Sequence, residues 1–456
     1  MTPLPVPETS RQTSDFIYYC VAALAGLLTG VVGSLFHQLV LRTLGWSKHL
    51  PEHVGLQGPW LYVVMAVFSA TFFCGAVALV RRFAPEASGS GVQEIEGAMA
   101  GLREIRWKRV LPIKFIGGTM ALGAGLVGGR EGPTIHMGAA IARGLSARMH
   151  LRVNDARALW GAGGAAGLTA AFNAPVASVI FILEEARKSF PYSLRTYSAV
   201  VIACGFSAIA TAAISGSTPF MALPATAMPL SFLPVFIVLG AILGVLGVVF
   251  NHVILTGLEL SRRIGLRTSP YLVPALLGLI IGPMLISFPQ ATGGGETLAV
   301  TLAQNPLPIG LLGLVVLARF FMSAASYSTG APCGIFAPIL ALAVAFSVFL
   351  ATVLGLVLPL PPGAVVAFAV AGMAGLFSST IRAPLVGIVL VAELTGTYGL
   401  IVPTFLTAIT SALVSVGLGG RPIYEVLLER TLRLAGQSVP EEGWAVPATF
   451  PDPRQR

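Results

Sequence analysis

Ten stretches of this chain are nearly free of charge: 16–45, 59–80, 110–129, 192–213, 228–257, 271–287, 307–324, 335–360, 364–377 and 399–418. Nothing else in the sequence constrains the fold as tightly. Some of these runs match the ~20 residues a helix needs to cross a bilayer, and others are too long or too short for one straight span. Only 10% of the residues are charged, against roughly 25% in soluble proteins. The chain is therefore expected to be an all-helical, polytopic membrane protein. Its 52 glycines and 32 prolines are tolerated at membrane depth where helices pack closely or break around a cavity, so broken helices are expected.

Basic residues cluster between the runs, at Arg81–Arg82, at Arg103, Arg106, Lys108 and Arg109, and at Arg421, Arg430 and Arg433. Loops of that kind stay on the cytoplasmic side; they imply membrane topology and no nucleic-acid role. The first residues, "MTPLPVPETSRQTSD", are polar and proline-rich, unlike a cleaved signal peptide. Segments 1–14 and 435–456 are expected to be short cytoplasmic ends, the latter too short and polar for a regulatory domain. Cys20, Cys74, Cys204 and Cys333 lie in apolar stretches without Cys-x-x-Cys spacing and read as small core residues. No histidine has metal-ligand spacing, and no His-Glu-x-x-His or Gly-x-Gly-Asp signature occurs. No cofactor and no enzymatic activity are expected.

Two pieces of the chain echo each other. "AAGLTAAFNAPVASVIFILEE" (165–185) and "MAGLFSSTIRAPLVGIVLVAEL" (373–394) share Ala-Gly-Leu, a polar break, Ala-Pro and an apolar helix reaching a glutamate. The offset from Pro175 to Pro384 equals that from Glu184 to Glu393. Upstream of each lies a Gly-x-x-x-Pro, "GREGP" (129–133) and "GIFAP" (334–338). Duplicated halves, about 15–216 and 228–434, follow from this order. Such halves are a common transporter architecture, with substrate near the midplane at the starts of discontinuous helices.

"GREGP" places Arg130 and Glu131 inside an otherwise apolar region. The proline suits a first helical turn, and a helix start presents free N–H groups that favour an anion. "GIFAP" supplies a matching start without charge. Two such ends facing one point hold an anion without burying a cation, and let it leave again. A third break, "EASGSGVQEIEG" (86–97), precedes a short helix expected to begin near Val92. Ser90 and Gln93 have the spacing of a capping box, which spacing alone favours; the alternative is that the Ser90 hydroxyl donates to a bound anion.

Together, "GSGV" (89–92), "GREGP" (129–133), "GIFAP" (334–338) and "RPIY" (421–424) resemble, in order and spacing, the chloride channel and transporter (CLC) family over about Asp15 to Leu434. The resemblance implies an all-helical fold of two inverted-topology halves meeting at a midplane anion site, a homodimer in membrane lipid, and one anion pathway per subunit. It implies that Ser90 and Tyr424 donate hydroxyls to a central chloride. Ile335 and Phe336 match backbone N–H donors to the same ion, and Arg130 and Gly132 match those of an outer site. Glu131 matches a gating glutamate whose carboxylate competes with the anion, and Glu185 an inner proton-transfer glutamate of the exchanger branch. The family's usual Gly-Ser-Gly-Ile-Pro is here Gly-Ser-Gly-Val-Gln, so Gln93 stands where proline is common and bears on selectivity. Ser90 and Tyr424 favour chloride over fluoride or nitrate, and the early end of the chain after Tyr424 looks prokaryotic. The implied function is chloride/proton antiport at an inner membrane with both termini cytoplasmic; a passive chloride-selective channel of the same fold is the alternative.

Three further side chains carry expectations. Glu184 reads as an acidic helix end beside Arg187 and Lys188. Lys114, inside an apolar run, needs a partner, and Glu96 is the acid chosen for it unless the chain snorkels. His136 reads as a packed or hydrogen-bonded histidine before it reads as a proton carrier.

Overall fold

The computed structural model describes residues 14–55, 58–149, 151–437 and 439. Most of the two expected cytoplasmic ends therefore lies outside the described residues. The first half comprises α1 (Asp15–Val54), α2 (Pro59–Phe83), α3 (Val92–Met99), α4 (Trp107–Gly123), α5 (Glu131–Ser146), α6 (Val153–Phe172), α7 (Pro175–Glu184) and α8 (Leu194–Ser215). The second comprises α9 (Pro234–Arg267), α10 (Leu272–Ser287), α11 (Glu296–Gln304), α12 (Ile309–Ser328), α13 (Phe336–Leu354), α14 (Ala364–Ile381), α15 (Pro384–Thr395) and α16 (Ile401–Gly417). A last helix, α17 (Ile423–Leu434), closes the second half and has no counterpart in the first. Among the described residues, eight helices are long and apolar enough to cross a membrane. α3, α7, α11, α15 and α17 are much shorter, as the broken runs require.

The packing repeats eight helices apart. α1 lies on α8 as α9 lies on α16, α5 on α6 as α13 on α14, and α6 on α8 as α14 on α16. α2 meets α10, α5 meets α13 and α7 meets α15, each helix touching its own counterpart, as happens around a twofold-like axis. The halves are inverted, and α7 and α15 show how. Glu184, at the end of α7, accepts from the N–H groups of Leu385 (3.2 Å) and Val386 (2.8 Å) at the start of α15. Glu393 of α15 accepts from Val176 (3.1 Å) and Ala177 (2.7 Å) at the start of α7. Each carboxylate thus satisfies N–H groups that a helix start leaves open. Glu184 is more than an acidic helix end: it ties the halves together.

α5 and α6 escape a search for apolar runs because glycine, alanine and threonine fill them. They are nonetheless largely buried. A side chain on Gly138 of α5 would collide with the Gly163 carbonyl of α6, and one on Gly163 with that of Gly138. Small residues here let two backbones touch, the usual means of helix association in a bilayer. The 110–129 run does not continue as one helix either. α4 ends at Gly123, and the chain turns through Gly125, whose φ of 94° favours glycine.

Candidate anion and proton site

Two of the breaks meet at the centre. Gly129 and Gly334, the first residues of the two Gly-x-x-x-Pro motifs, exchange antiparallel hydrogen bonds of 2.8 and 2.7 Å. This two-rung ladder points the starts of α5 and α13 at one place. Glu131 Oε1 accepts from the N–H of Phe336 (2.7 Å) and of Ala337 (3.2 Å). Its other oxygen has no protein partner, and the side chain is fully buried. The resemblance assigns the Phe336 N–H to an anion; here a carboxylate stands in the anion's place. Glycine makes room for it, since a side chain on Gly129 or Gly334 would overlap the Glu131 carboxylate. Ile335 is the residue capping α13.

A third break closes the site. A Cβ on Gly132 would fall 2.5 Å from Ser90 Oγ and 2.9 Å from Gly334 Cα, so these loops touch. α3 begins at Val92 as expected, but its cap is Gly91 in a left-handed conformation (φ 91°), with no side-chain cap. The capping box of Ser90 and Gln93 does not form. Ser90 Oγ is buried without a protein partner, and so is the Tyr424 hydroxyl. Tyr424 packs its ring on Phe336 at 5.8 Å, and Phe336 lies against Phe377 (5.0 Å) and Phe181 (6.0 Å). This aromatic collar, invisible in the motifs, holds both the helix start and the phenol.

Lys114 does not pair with Glu96, nor does it snorkel. It is fully buried and donates to the carbonyls of Gly89 (2.6 Å) and Ser90 (3.0 Å). The backbone on either side of the Ser90 hydroxyl is thus clamped while the hydroxyl stays free. Ser88 Oγ adds a bond to the Gly330 carbonyl (3.1 Å), and the Cys333 N–H reaches the Gly89 carbonyl (3.3 Å). His136 packs its buried ring beneath Gly91, where a Cβ would meet it.

Arg130 sends its side chain elsewhere. It pairs with Glu296 (2.8 Å), donates to the Ala171 carbonyl (3.0 Å) and lies over the Phe220 ring at 5.0 Å. With Gly128, Gly129 and Glu296 it borders a narrow pocket of about 120 Å³. On the opposite face a cavity of about 820 Å³ reaches Ser88, Gly89 and Tyr327. Glu185 is in neither. It caps α7 and lines a third cavity, about 570 Å³, with Glu96, Lys188, Arg421 and Glu425. Lys188 pairs there with Glu425 at 3.1 Å. The anion-site candidates Glu131, Gly132, Phe336, Ser90 and Tyr424 therefore converge, while Glu185 lies apart among other acids. Among the described residues no group of histidines, cysteines and acids is suited to hold a metal.

Inverted helical halves whose broken helices meet at a buried polar point are the architecture of an ion-transporting membrane protein. The chain belongs to the voltage gated chloride channel family, whose model matches residues 72–416. It is 40% identical over 432 residues to an H(+)/Cl(-) exchange transporter, ClcA, of Vibrio cholerae, covering 93% of this chain and 92% of the relative. A transporter of the same name from Salmonella agona is 38% identical over 430 residues, 92% of this chain and 90% of that one. Among solved structures, a slow cyanobacterial Cl-/H+ antiporter superposes with a TM-score of 0.88 at 36% identity, over 94% of this chain and all of that one. A CLC-type fluoride/proton antiporter shares the fold, with a TM-score of 0.72 at 21% identity over 89% of this chain and 97% of that one.

Proposed function

We propose that the protein is a secondary active antiporter that exchanges chloride for protons, with Glu131 as the gate. One observation carries this reading: the Glu131 carboxylate is held by the main-chain N–H groups of Phe336 and Ala337, beside the unpartnered hydroxyls of Ser90 and Tyr424. Ionised, the carboxylate is itself an anion and competes with chloride for that helix start. Protonated, it is attracted less and vacates the place. Whatever protonates Glu131 therefore also opens the anion path. Ser90, Tyr424 and the main chain at Ile335 and Phe336 then bind the central chloride, and the backbone at Arg130 and Gly132 an outer one.

Glu185 gives protons a route that avoids the anion, because two negative groups in one narrow site repel. Its cavity brings it next to other titratable groups, Glu96 and Glu425. A passive channel has no use for such a group, and the names of the relatives point the same way. We further propose a homodimer in the inner membrane, with both termini cytoplasmic on the side of the basic loops. The apolar side chains Val176, Ile209, Leu385 and Leu413, exposed on the neighbouring helices α7, α8, α15 and α16, offer a second copy one face. The transmembrane unit is taken as residues 15–434, with halves at about 15–216 and 228–434.

The test is purified protein in liposomes, with chloride and pH followed together. An imposed chloride gradient should drive protons uphill. Chloride flux without proton movement in the wild type would establish the channel instead.

A further inference from the structure

The basic loops differ in how their charge is answered. Arg103 pairs with Glu94 at 2.8 Å, Lys188 with Glu425 at 3.1 Å, and Arg421 with Glu429. Lys108, Arg109 and Arg143 form no ion pair among the described residues. Lys108 and Arg109 also oppose the helix they belong to. They stand in the first turn of α4, which holds no acid and has no side-chain cap. A helix start carries positive partial charge, so cations are unfavourable there. Arg81 and Arg82 show the ordinary arrangement, in the last turn of α2, where the dipole favours them.

The unanswered cations share a pocket. Arg106, Lys108 and Arg109 at the start of α4 and Arg143 in the last turn of α5 line a hollow of about 580 Å³. Among the described residues only Glu104 brings an acid to its wall, and its 3.8 Å pair with Arg106 is exposed and weak. Trp107 wedges between the two helices: a Cβ on Gly144 of α5 would lie 3.1 Å from its indole. Lys108 Nζ lies 5.7 Å from the centre of the same ring. Arg143 lies over Trp160 at 5.2 Å, and the Trp160 indole N–H donates to Ser146 Oγ at 2.9 Å. An aromatic face thus fixes the guanidinium without neutralising it. The pocket continues onto an apolar surface. Pro112 and Ile116 follow Arg109 on one face of α4, and both are exposed, Ile116 at 49%.

We propose that this pocket binds the headgroup of an anionic glycerophospholipid, with its phosphate among Lys108, Arg109 and Arg143 and an acyl chain along Pro112 and Ile116. The phosphate supplies the negative charge that the start of α4 lacks, and its oxygens can accept from the open N–H groups there. Basic pockets between helices on the cytoplasmic side suit such headgroups, and a tryptophan suits that depth. A soluble anion would satisfy the cations equally well; the exposed apolar face running on from them favours an anion that carries a tail. A zwitterionic lipid would bring a further cation into a wall that already holds four. Once bound, the phosphate bridges the start of α4 to the end of α5. This rests on placing the basic loops at the cytoplasmic leaflet, and on neither the anion site nor the proton route.

The experiment titrates the full-length, delipidated protein in detergent with dioleoylphosphatidylglycerol and counts bound lipid by native mass spectrometry. One lipid per subunit should be retained, and dioleoylphosphatidylcholine should not displace it. Lys108→Gln/Arg109→Gln should weaken binding roughly 10- to 30-fold, as for two lost basic contacts near a membrane surface. Arg81→Gln/Arg82→Gln removes the same charge from a basic pair that lines none of these pockets, and should leave binding unchanged. All four side chains are exposed, so neither variant should disturb the packing. Equal binding by the two double variants, weakened or not, would reduce the effect to general attraction between a basic surface and an anionic lipid and overturn the site. Phosphatidylcholine binding as tightly as phosphatidylglycerol would overturn it too. Displacement of phosphatidylglycerol by inorganic phosphate at the same concentration would make the occupant a soluble anion and overturn the lipid. Transport in liposomes is a separate measurement, so failure here leaves the antiport reading standing.

Discussion

The loops at 85–91 and 289–295 are counterparts, one from each half. Each opens with a proline and a single 3₁₀ turn, Pro85–Ala87 and Pro289–Ala291. Each then passes through left-handed glycines, Gly89 (φ 59°) and Gly91 (91°) against Gly293 (64°) and Gly295 (90°). Each is gripped by a buried cation from the matching helix. Lys114 of α4 takes two carbonyls, while Arg319 of α12 takes those of Gln290, Thr292 and Gly293 at 2.7 to 2.8 Å. The side chains differ where it matters. Ser90 is matched by Gly294, and the wide cavity of about 820 Å³ on one face is matched by a pocket of about 120 Å³ on the other. Duplication supplied the backbone twice; chemistry was placed on one copy.

The largest effect should come from the most unequal pair, Glu131 and Phe336, which occupy matching positions in "GREGP" and "GIFAP". Only one can carry a proton. Glu131→Gln should abolish proton movement while chloride still flows, measured as chloride and pH changes in the same liposomes. If that variant still pumps protons when driven by chloride, the gate is another residue.

Next comes Glu185, whose counterpart is Leu394, a fully buried leucine. The outside solution can still protonate Glu131 in Glu185→Gln. Chloride should keep moving while proton transport stops, and a pH gradient should no longer drive chloride. A wild-type rate of proton accumulation would move the inner relay elsewhere in the cavity, with Glu425 and Glu96 the groups to examine.

The buried cations test whether the two loops are equivalent as structure and different as function. A charge-assisted bond contributes about 1.5–3 kcal/mol, and stranding its buried partner costs about as much. Arg319→Met strands three carbonyls and Lys114→Met two, so the arginine variant should lose more thermal stability in detergent. Bromide binding should discriminate in the other direction. Only Lys114→Met loosens the main chain that aims Ser90, so only that variant should bind bromide more weakly. Equal binding losses would mean that the outer loop also shapes the anion site.

Much of this was legible in the sequence, and the limits have physical causes. The convergence of 129–133 and 334–338 could be read because glycine and proline at fixed spacing prescribe backbone. The third repeat, 85–91 with 289–295, is faint in the sequence, because its likeness lies in dihedral angles and only Pro-x-Ala-x-Gly-x-Gly survives in letters. The sequence suggests an acid for Lys114 because main-chain carbonyls, its actual partners, leave no trace in letters. Spacing favours Ser90 as a cap because it says nothing of the left-handed Gly91 that takes that position.

The smallest effects should come from Glu184 and Glu393, the one pair of acids that the halves kept alike. Each is about half-buried and accepts from two N–H groups at the start of the opposite helix. An acid at a helix N-terminus contributes roughly 0.5–2 kcal/mol, and a glutamine retains one acceptor oxygen. Glu184→Gln and Glu393→Gln should therefore each lower thermal stability slightly and by similar amounts. The double variant should lose about the sum, because the two caps share no hydrogen-bonding group. The exchange ratio should stay at the wild-type value, since both oxygens of Glu184 are committed to Leu385 and Val386. A Glu184→Gln variant that loses proton coupling while Glu393→Gln keeps it would place Glu184 beside Glu185 on the proton route, and the symmetry of α7 and α15 would then be a symmetry of backbone alone.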